Sequence, residues 1–450
     1  MSSDGEPSSV DVSEILIQYM RETPDWVDTS KVLRRVSTRF YNLVNSLVRT
    51  LSLEEASVRD VEKALSSFQH LHRAYLYFRL ADNDINDDAD DVARLLRAIC
   101  RQTRLQVLHL HGDIDWDVSV ATTRPSPASA SSCYIEDSNL AKDCLPLGLR
   151  ELSLGGEVME TFSHDQAHLL FEQKKWPNLC TLHVSVPEHL LLDDTVYAIL
   201  ARSSRGGSFP VLECLKIDEG LASNANVSCL ASGDWTRVTR LQHISGQLDS
   251  DCLTLETMQA LRMATPALTW LDLSGSVFEK DACKMFGWLK HLTLKECSLD
   301  ADRISVIATQ CSLCHLEYLD LSYNTHFISE EPPHPLLDMR MPLLKELRLD
   351  GCGINSERLP YVLLIQESFL DEIRAPALEI LSLSDNPLLF SAATNDIDQE
   401  AVDTLLRWKW NQPMCLIVDR YYSGIGEMSP EELEALTATI EVKFNRLMIE

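Results

Sequence analysis

Hydrophobic residues recur in one short pattern along most of the chain. The stretch LEYLDLSYN (316–324) has leucines at spacings of three and two, and an asparagine follows three residues after the last leucine. The alternation L-x-L has the two-residue period of a β-strand with one buried face. It predicts a strand whose leucines point into a core and whose intervening side chains point away from it.

The pattern L-x-x-L-x-L-x-x-N/C returns many times. Close copies are LRELSLGGE (149–157), LTWLDLSGS (268–276), LKHLTLKEC (289–297), LKELRLDGC (344–352) and LEILSLSDN (378–386). Looser copies are VRTLSLEEA (48–56), LHRAYLYFR (71–79), LQVLHLHGD (105–113), LCTLHVSVP (179–187), LECLKIDEG (212–220) and LQHISGQLD (241–249). One short strand cannot bury its own leucines, so the units are predicted to stack into a parallel sheet over a continuous core.

This repeat resembles the leucine-rich repeat family over residues 48–420. The resemblance implies an α/β solenoid shaped like a horseshoe, with a parallel sheet on its concave side and helices or irregular turns on its convex side. At the ninth position, Asn324, Asn386, Cys297 and Cys352 are expected to bond backbone groups in a buried turn. Successive units start 21 to 44 residues apart, so the longer ones can hold helices, as over 60–71 and 88–101. The run ATTRPSPASASS (121–132) predicts a loop insertion at about 115–147.

The two ends predict caps. Residues 1–9 are expected to be a disordered tail, and residues 421–450 a C-terminal capping helix that starts with a capping box at Ser429 and Glu432. The helical segment 10–47 is similar to an F-box that runs into the first repeat, although Val10-Asp11-Val12 replaces the usual Leu-Pro. That resemblance implies that an F-box adaptor binds the segment; the residues concerned are Ile15, Leu16, Tyr19, Val32 and Leu33. The alternative is a plain helical cap.

The composition of the chain limits the classes of molecule that it is expected to bind. The chain has 40 basic and 68 acidic residues, a formal net charge of −28, which disfavours nucleic acid and anionic membranes. No apolar run approaches the roughly 18 residues of a membrane span. Thirteen cysteines without a secretory signal indicate reduced thiols in a cytoplasmic or nuclear protein.

No motif predicts catalysis or a cofactor. The sequence Cys311-x-x-Cys314-His315 lacks the second ligand pair of a zinc site, which favours structural cysteines. The acidic run 81–91 lacks the glycine and glutamate of an EF-hand. His109 and His111 are candidate metal ligands, but exposed sheet residues are the alternative. No phosphate loop or nucleophile elbow is present, so we expect a protein that is not an enzyme.

The residues between the leucines predict a binding surface. The predicted outward set is His109, His111, Ser153, His183, Ser185, Lys216, Asp218, Trp270, Asp272, Ser274, His291, Thr293, Lys295, Tyr318, Asp320, Ser322, Glu346, Arg348, Asp350, Ser382 and Ser384. Aromatic residues and arginine are the usual anchors of protein interfaces. We therefore expect protein partners to contact His109, His111, His183, Trp270, Asp272, His291, Tyr318, Asp320 and Arg348.

Three functions fit these features. The F-box resemblance implies the substrate-recognition subunit of a cullin-type ubiquitin ligase, a monomer within a complex. The second is a leucine-rich-repeat scaffold without any ligase link. The third is a regulator such as a GTPase activator, since the repeat family includes activators of Ran.

Overall fold

The computed structural model describes most of the chain between residues 49 and 444. The described ranges are 49–56, 58–68, 70–78, 98–99, 101–112, 145–155, 167–185, 195–218, 224–244, 252–325, 339–363, 368–369, 372–373, 375–391, 397–407, 415–419, 423–425, 428–438 and 441–444. They form two compact units that divide between Leu179 and Cys180. The expected tail, the F-box-like segment and nearly all of the loop insertion lie outside these ranges.

The first unit is a parallel sheet of four described strands. These are β1 (Thr50–Ala56), β2 (Arg73–Phe78), β3 (Val107–Gly112) and β4 (Glu151–Gly155), and each pairs with the next. Helix α1 (Val58–Ser67) follows β1, and a π-helical turn (His168–Gln173) follows β4. Helix α1 is the helix expected over 60–71.

The second unit is a longer parallel sheet. Its strands are β5 (Thr181–Ser185), β6 (Cys214–Asp218), β7 (Arg240–Ile244), β8 (Trp270–Asp272), β9 (His291–Thr293), β10 (Tyr318–Asp320), β11 (Glu346–Arg348), β14 (Ile380–Ser382), β15 (Cys415–Val418) and β16 (Glu441–Phe444). Neighbours in this order pair in parallel. Strands β12 (Ser368–Phe369) and β13 (Glu372–Ile373) form a separate antiparallel pair.

Helices connect the strands of the second unit. They are α2 (Thr195–Arg205), α3 (Asn224–Ala231), α4 (Leu255–Ala264), α5 (Ala301–Gln310), α6 (Leu359–Leu363), α7 (Gln399–Arg407) and α8 (Pro430–Thr437), with 3-10 helices at Lys280–Phe286 and Leu313–His315. Helix α3 contacts α2 and α4, and the first 3-10 helix contacts α4 and α5. The helices therefore form a second layer beside the sheet.

Leucines from neighbouring strands of the second unit lie in a row on the buried face of the sheet. In the second unit the strand register aligns Leu182, Leu215, Leu241, Leu271, Leu292, Leu319, Leu347, Leu381 and Leu416. All of them are at most 3% exposed. Each side chain is shielded by its equivalents on the adjacent strands, as the repeat predicts.

The ninth position of the repeat holds buried polar side chains. Asn324 Oδ1 accepts a hydrogen bond from Leu299 N at 3.0 Å, and its Nδ2 donates to Leu294 O and Leu321 O at 2.8 Å each. Asn386, two repeats later, makes the equivalent bonds to Ile354 N and Leu349 O. Cys297 and Cys352 donate weaker thiol bonds to carbonyl oxygens of the preceding repeat. The expected turn function of these residues is confirmed.

The residue just before the ninth position is left-handed in five successive repeats. These residues are Gly275, Glu296, Tyr323, Gly351 and Asp385, with φ between 56° and 74°. Glycine adopts this conformation without steric penalty, whereas other residues lose about 1–2 kcal/mol. At Gly351 an added Cβ would also lie 2.6 Å from the Tyr323 ring.

Two details differ from the sequence prediction. Leu241 pairs with Leu271, so the unit starts at the buried Val238 and not at residue 241. The C-terminal segment is not one helix: α8 ends at Thr437, and Glu441–Phe444 form strand β16 on β15. Val442 takes the leucine position there, which shows that the strand pattern continues beyond residue 420. The capping box at Ser429 and Glu432 is present as predicted.

These features are those of a leucine-rich-repeat solenoid of the α/β class. One parallel strand per repeat, a shared leucine row and a polar ladder at the turn occur together in the described repeats. No described helix has both the length and the apolar character that crossing a membrane requires.

Candidate functional site

The side chains between the leucines form two rows on the sheet face opposite the core, which we call the outer face. Across β7 to β11 the first row is Arg240, Trp270, His291, Tyr318 and Glu346. The second row, two residues further along each strand, is Gln242, Asp272, Thr293, Asp320 and Arg348. Neighbouring parallel strands lie about 4.8 Å apart, so each row is a continuous band of contacting groups.

The first row is an ordered stack of aromatic and cationic groups. The Arg240 guanidinium lies 3.9 Å above the Trp270 ring centre. The rings of His291 and Tyr318 stack at 5.8 Å with 27° between their planes. From the second row, the Arg348 guanidinium lies 5.8 Å from the Tyr318 ring centroid. Because these half-exposed rings are already held in place, a partner would lose little side-chain entropy by ordering them.

The second row contains carboxylates with little exposure. Asp272 is 6% exposed and Asp320 8%, and each bonds the serine two residues ahead. Asp272 Oδ1 accepts from Ser274 N at 3.0 Å and Oγ at 2.6 Å, and Asp320 Oδ1 accepts from Ser322 N at 2.9 Å. Burial raises the pKa of Asp272 above its ordinary value, and the Ser274 bonds offset only part of this effect.

Burial also keeps two first-row groups in their neutral forms. It lowers the pKa of His291, and the charges of Arg240 and Lys290 act in the same direction. It raises the pKa of Tyr318 far above its usual range, and the nearby Asp320 carboxylate adds to this. At neutral pH the centre of the first row is therefore an uncharged aromatic surface.

His183, at the start of the second row on β5, belongs to an ion-pair network. Its Nε2 lies 2.5 Å from Asp218 Oδ2, and Lys216 Nζ lies 3.2 Å from the same oxygen. Burial acts to raise the pKa of Asp218, but the hydrogen bond and charge of His183, together with Lys216, bring it below its ordinary value. This carboxylate is already neutralised within the chain.

The first unit has its own aromatic and imidazole cluster. The rings of Tyr75 and His109 are 4.7 Å apart, and Tyr77 and His111 stack at 5.3 Å. His109 Nε2 lies 2.9 Å from Glu151 Oε1. Among the described residues no group of histidine, cysteine or acidic side chains is arranged to hold a metal ion.

The cysteine-rich motif is divided between core and surface. Cys311 is buried and its thiol donates to Cys283 O at 2.7 Å, whereas Cys314 is exposed. Burial raises the pKa of Cys311 to about 11. The two thiols thus have different environments, and the ten cysteines of the described ranges carry no disulfide.

All predicted binding residues of the repeats lie on strands at positions between the leucines. Trp270, Asp272, His291, Tyr318, Asp320 and Arg348 lie together on β8 to β11; His183 lies on β5 of the same unit, and His109 and His111 lie in the first unit. The predicted adaptor-binding residues Ile15, Leu16, Tyr19, Val32 and Leu33 are outside the described residues.

Sequence reasoning missed three groups. Arg240 stacks on a tryptophan 30 residues later in the chain, and Tyr75 and Tyr77 lie beside the two histidines of β3. For Tyr75 and Tyr77 the signal was present, since LHRAYLYFR fits the repeat frame. For Arg240 it was hidden, because the frame of that unit was misplaced by three residues.

Comparison with known proteins gives matches only among solved structures. No family model and no curated protein matches the chain. The complex of Rad7 and Elc1 from yeast contains a chain with 14% identity and a TM-score of 0.37, over 92% of this chain and 94% of that one. The leucine-rich repeat-containing protein LegL7 from Legionella pneumophila has 12% identity and a TM-score of 0.37, over 88% of this chain and 90% of that one. The leucine-rich-repeat fold of this chain is established by its strand register and buried leucine row.

Proposed function

We propose that the chain is a non-enzymatic protein-binding receptor that holds its partner on the outer face of β7 to β11. The observation that carries this proposal is the preassembled first row. Trp270 under Arg240, and His291 against Tyr318, present half-exposed rings in fixed positions. Aromatic residues held in this way dominate the binding energy of protein interfaces.

The test is affinity purification of the full-length chain from native extract, followed by mass spectrometry. Trp270→Ala and Tyr318→Ala should each weaken a specific partner by about 2 kcal/mol, roughly thirtyfold, without unfolding the chain. Trp288→Ala is the matched control, because Trp288 also carries a stacked arginine, Arg262 at 4.5 Å, but lies before β9 and outside both rows. A partner that is retained equally by all three variants would refute the proposal.

We further propose that the N-terminal segment links this receptor to a cullin-type ubiquitin ligase through an F-box adaptor. The support is the sequence resemblance of residues 10–47 to an F-box directly ahead of a repeat strand. The full-length chain should retain the adaptor, and Leu16→Asp or Leu33→Asp should abolish this retention while partner binding to the repeats continues. Failure of the folded wild-type chain to retain the adaptor would leave a scaffold without a ligase link.

A further inference from the structure

The outer face of β8 to β11 has an excess of acidic groups around its aromatic row. The strand-and-turn segments 270–274, 291–296, 318–323 and 346–351 contain five carboxylates and two cations. Each of the two cations pairs with a glutamate. Lys295 Nζ lies 3.3 Å from Glu296, and Arg348 Nε donates to Glu346 Oε1 at 2.7 Å. Neither cation forms an ion pair with an aspartate of this face, although the charge of Arg348 acts on Asp320 and Asp350 at longer range.

Asp320 and Asp350 are the central pair of these aspartates. Asp320 lies beside Arg348 in the strand register, but the Arg348 side chain turns towards Glu346. Within the described residues neither aspartate has an ion-pair partner, although Asp320 is buried and Asp350 is half-buried. A buried carboxylate without a counter-ion is unfavourable, and a partner's cation would relieve this.

The acceptor atoms of Asp350 and Ser384 that have no donor among the described residues indicate which kind of cation would fit. Asp350 uses Oδ1 for both of its bonds, from Ser382 Oγ at 2.6 Å and Ser384 N at 2.8 Å, so Oδ2 has no donor in the described structure. The Ser384 hydroxyl is 2% exposed and also lacks a described partner. Its own backbone bond to Asp350 places this hydroxyl next to the carboxylate. The two neighbouring acceptors, one on a half-buried carboxylate and one on a buried serine, match the paired N–H groups of a guanidinium.

We propose that Asp320, Asp350 and Ser384 form a receptor for one arginine side chain that a basic segment of a partner protein presents, with Tyr318 bordering the site. This inference rests on the proposed function, because it names the chemistry of the partner that the aromatic row holds. Arginine fits better than lysine because its planar fork can donate to the carboxylate and to the hydroxyl at once. The net charge of −28 favours the approach of a basic segment.

The test is selection from a displayed random-peptide library with the full-length chain at physiological ionic strength. The library should yield peptides with a required arginine. For a selected peptide, Asp320→Asn and Asp350→Asn should each weaken binding at least about tenfold, the loss of one charge-assisted bond. Asparagine keeps the acceptor oxygen for the serine bonds, so the fold should be retained, which a thermal melt checks.

Glu296→Gln is the matched control, since it removes one exposed carboxylate from the same face. It should change affinity less than about twofold. An equal loss in this variant would overturn the inference, because binding would then follow net charge alone. A library that yields no arginine-dependent peptide would also overturn it. If the selected peptides lack basic residues but their binding still requires Trp270 and Tyr318, the proposed receptor function stands and the arginine site does not.

Discussion

The polar ladder at the turns makes a quantitative prediction at Asn324. The side chain is fully buried and bonds the preceding repeat and its own turn: it accepts from Leu299 N, donates to Leu294 O in that repeat, and donates to Leu321 O in its own. Asn324→Ala would leave the Leu299 amide and the Leu294 carbonyl buried without these bonds. Each such group costs about 1–3 kcal/mol, so the two together should lower the free energy of unfolding by about 2–6 kcal/mol.

Cys352→Ala is the comparison that isolates the hydrogen bonds. Cys352 occupies the same repeat position and is equally buried, but its thiol makes only weak bonds, at 3.4 Å to Leu321 O and 3.6 Å to Asp350 O. Cys352→Ala should lower the free energy of unfolding by about 1–2 kcal/mol, mainly because packing contacts of the thiol are lost. The measurement is urea unfolding followed by circular dichroism, with the midpoint read at an unchanged slope. Hydrogen exchange at the Leu299 amide should rise in Asn324→Ala.

The result that would refute this reasoning is a loss in Asn324→Ala no larger than that in Cys352→Ala. The ladder would then contribute shape and not hydrogen bonding. A decreased slope in the urea transition would have a different meaning: the repeats on the two sides of the broken turn would no longer unfold together, as expected for a stack that depends on nearest-neighbour contacts.

Three further changes test other parts of the fold. Gly351→Ala should lower stability by about 2–3 kcal/mol in urea unfolding, because it combines a left-handed backbone with a clash against Tyr323; Gly207→Ala, at φ 70° with open space around it, should lose only about 1 kcal/mol, and equal losses would deny the clash. Asp272→Asn should raise the free energy of unfolding at pH 7. Burial raises the folded-state pKa of Asp272 above 3.8, so the wild type loses stability as the pH rises above that value. The gain of the variant should therefore shrink as the pH falls towards 3.8, and a gain that does not depend on pH would contradict this reasoning. Ser429→Ala should lose about 1 kcal/mol through the broken capping box, with Ser429→Thr as the conservative control, measured by thermal unfolding.

The repeat frame could be predicted because it depends on local spacing. Leucines three and two apart specify a strand with one buried face, and Asn324 three residues later identifies the turn. The pattern failed where valine replaces leucine. Val238 stands at the start of one unit and Val442 in strand β16, and neither unit was predicted in its correct position. The burial of Asp272 and its hydrogen bond to Ser274 could not be predicted in the same way, because both depend on the folded turn.

The partners across the sheet could not be predicted from spacing at all. Arg240 and Trp270 are 30 residues apart, and only the parallel register brings the guanidinium onto the indole. The same holds for Asp350, whose Oδ1 accepts hydrogen bonds from Ser382 Oγ and Ser384 N in the next repeat. A sequence pattern shows which side chains face outward, but the strand pairing determines which of them meet.

The sheet does not require carboxylates at the depth of the second row. Thr293 and Ser382 occupy the same row as Asp272 and Asp320, and both are buried there without any charge. A short neutral side chain therefore satisfies the sheet at this depth. Asp272 has a raised pKa, so its ionised form is disfavoured by the fold that holds it. Since the row accepts neutral residues, the arginine receptor that we propose would give these carboxylates a role at the centre of the aromatic face.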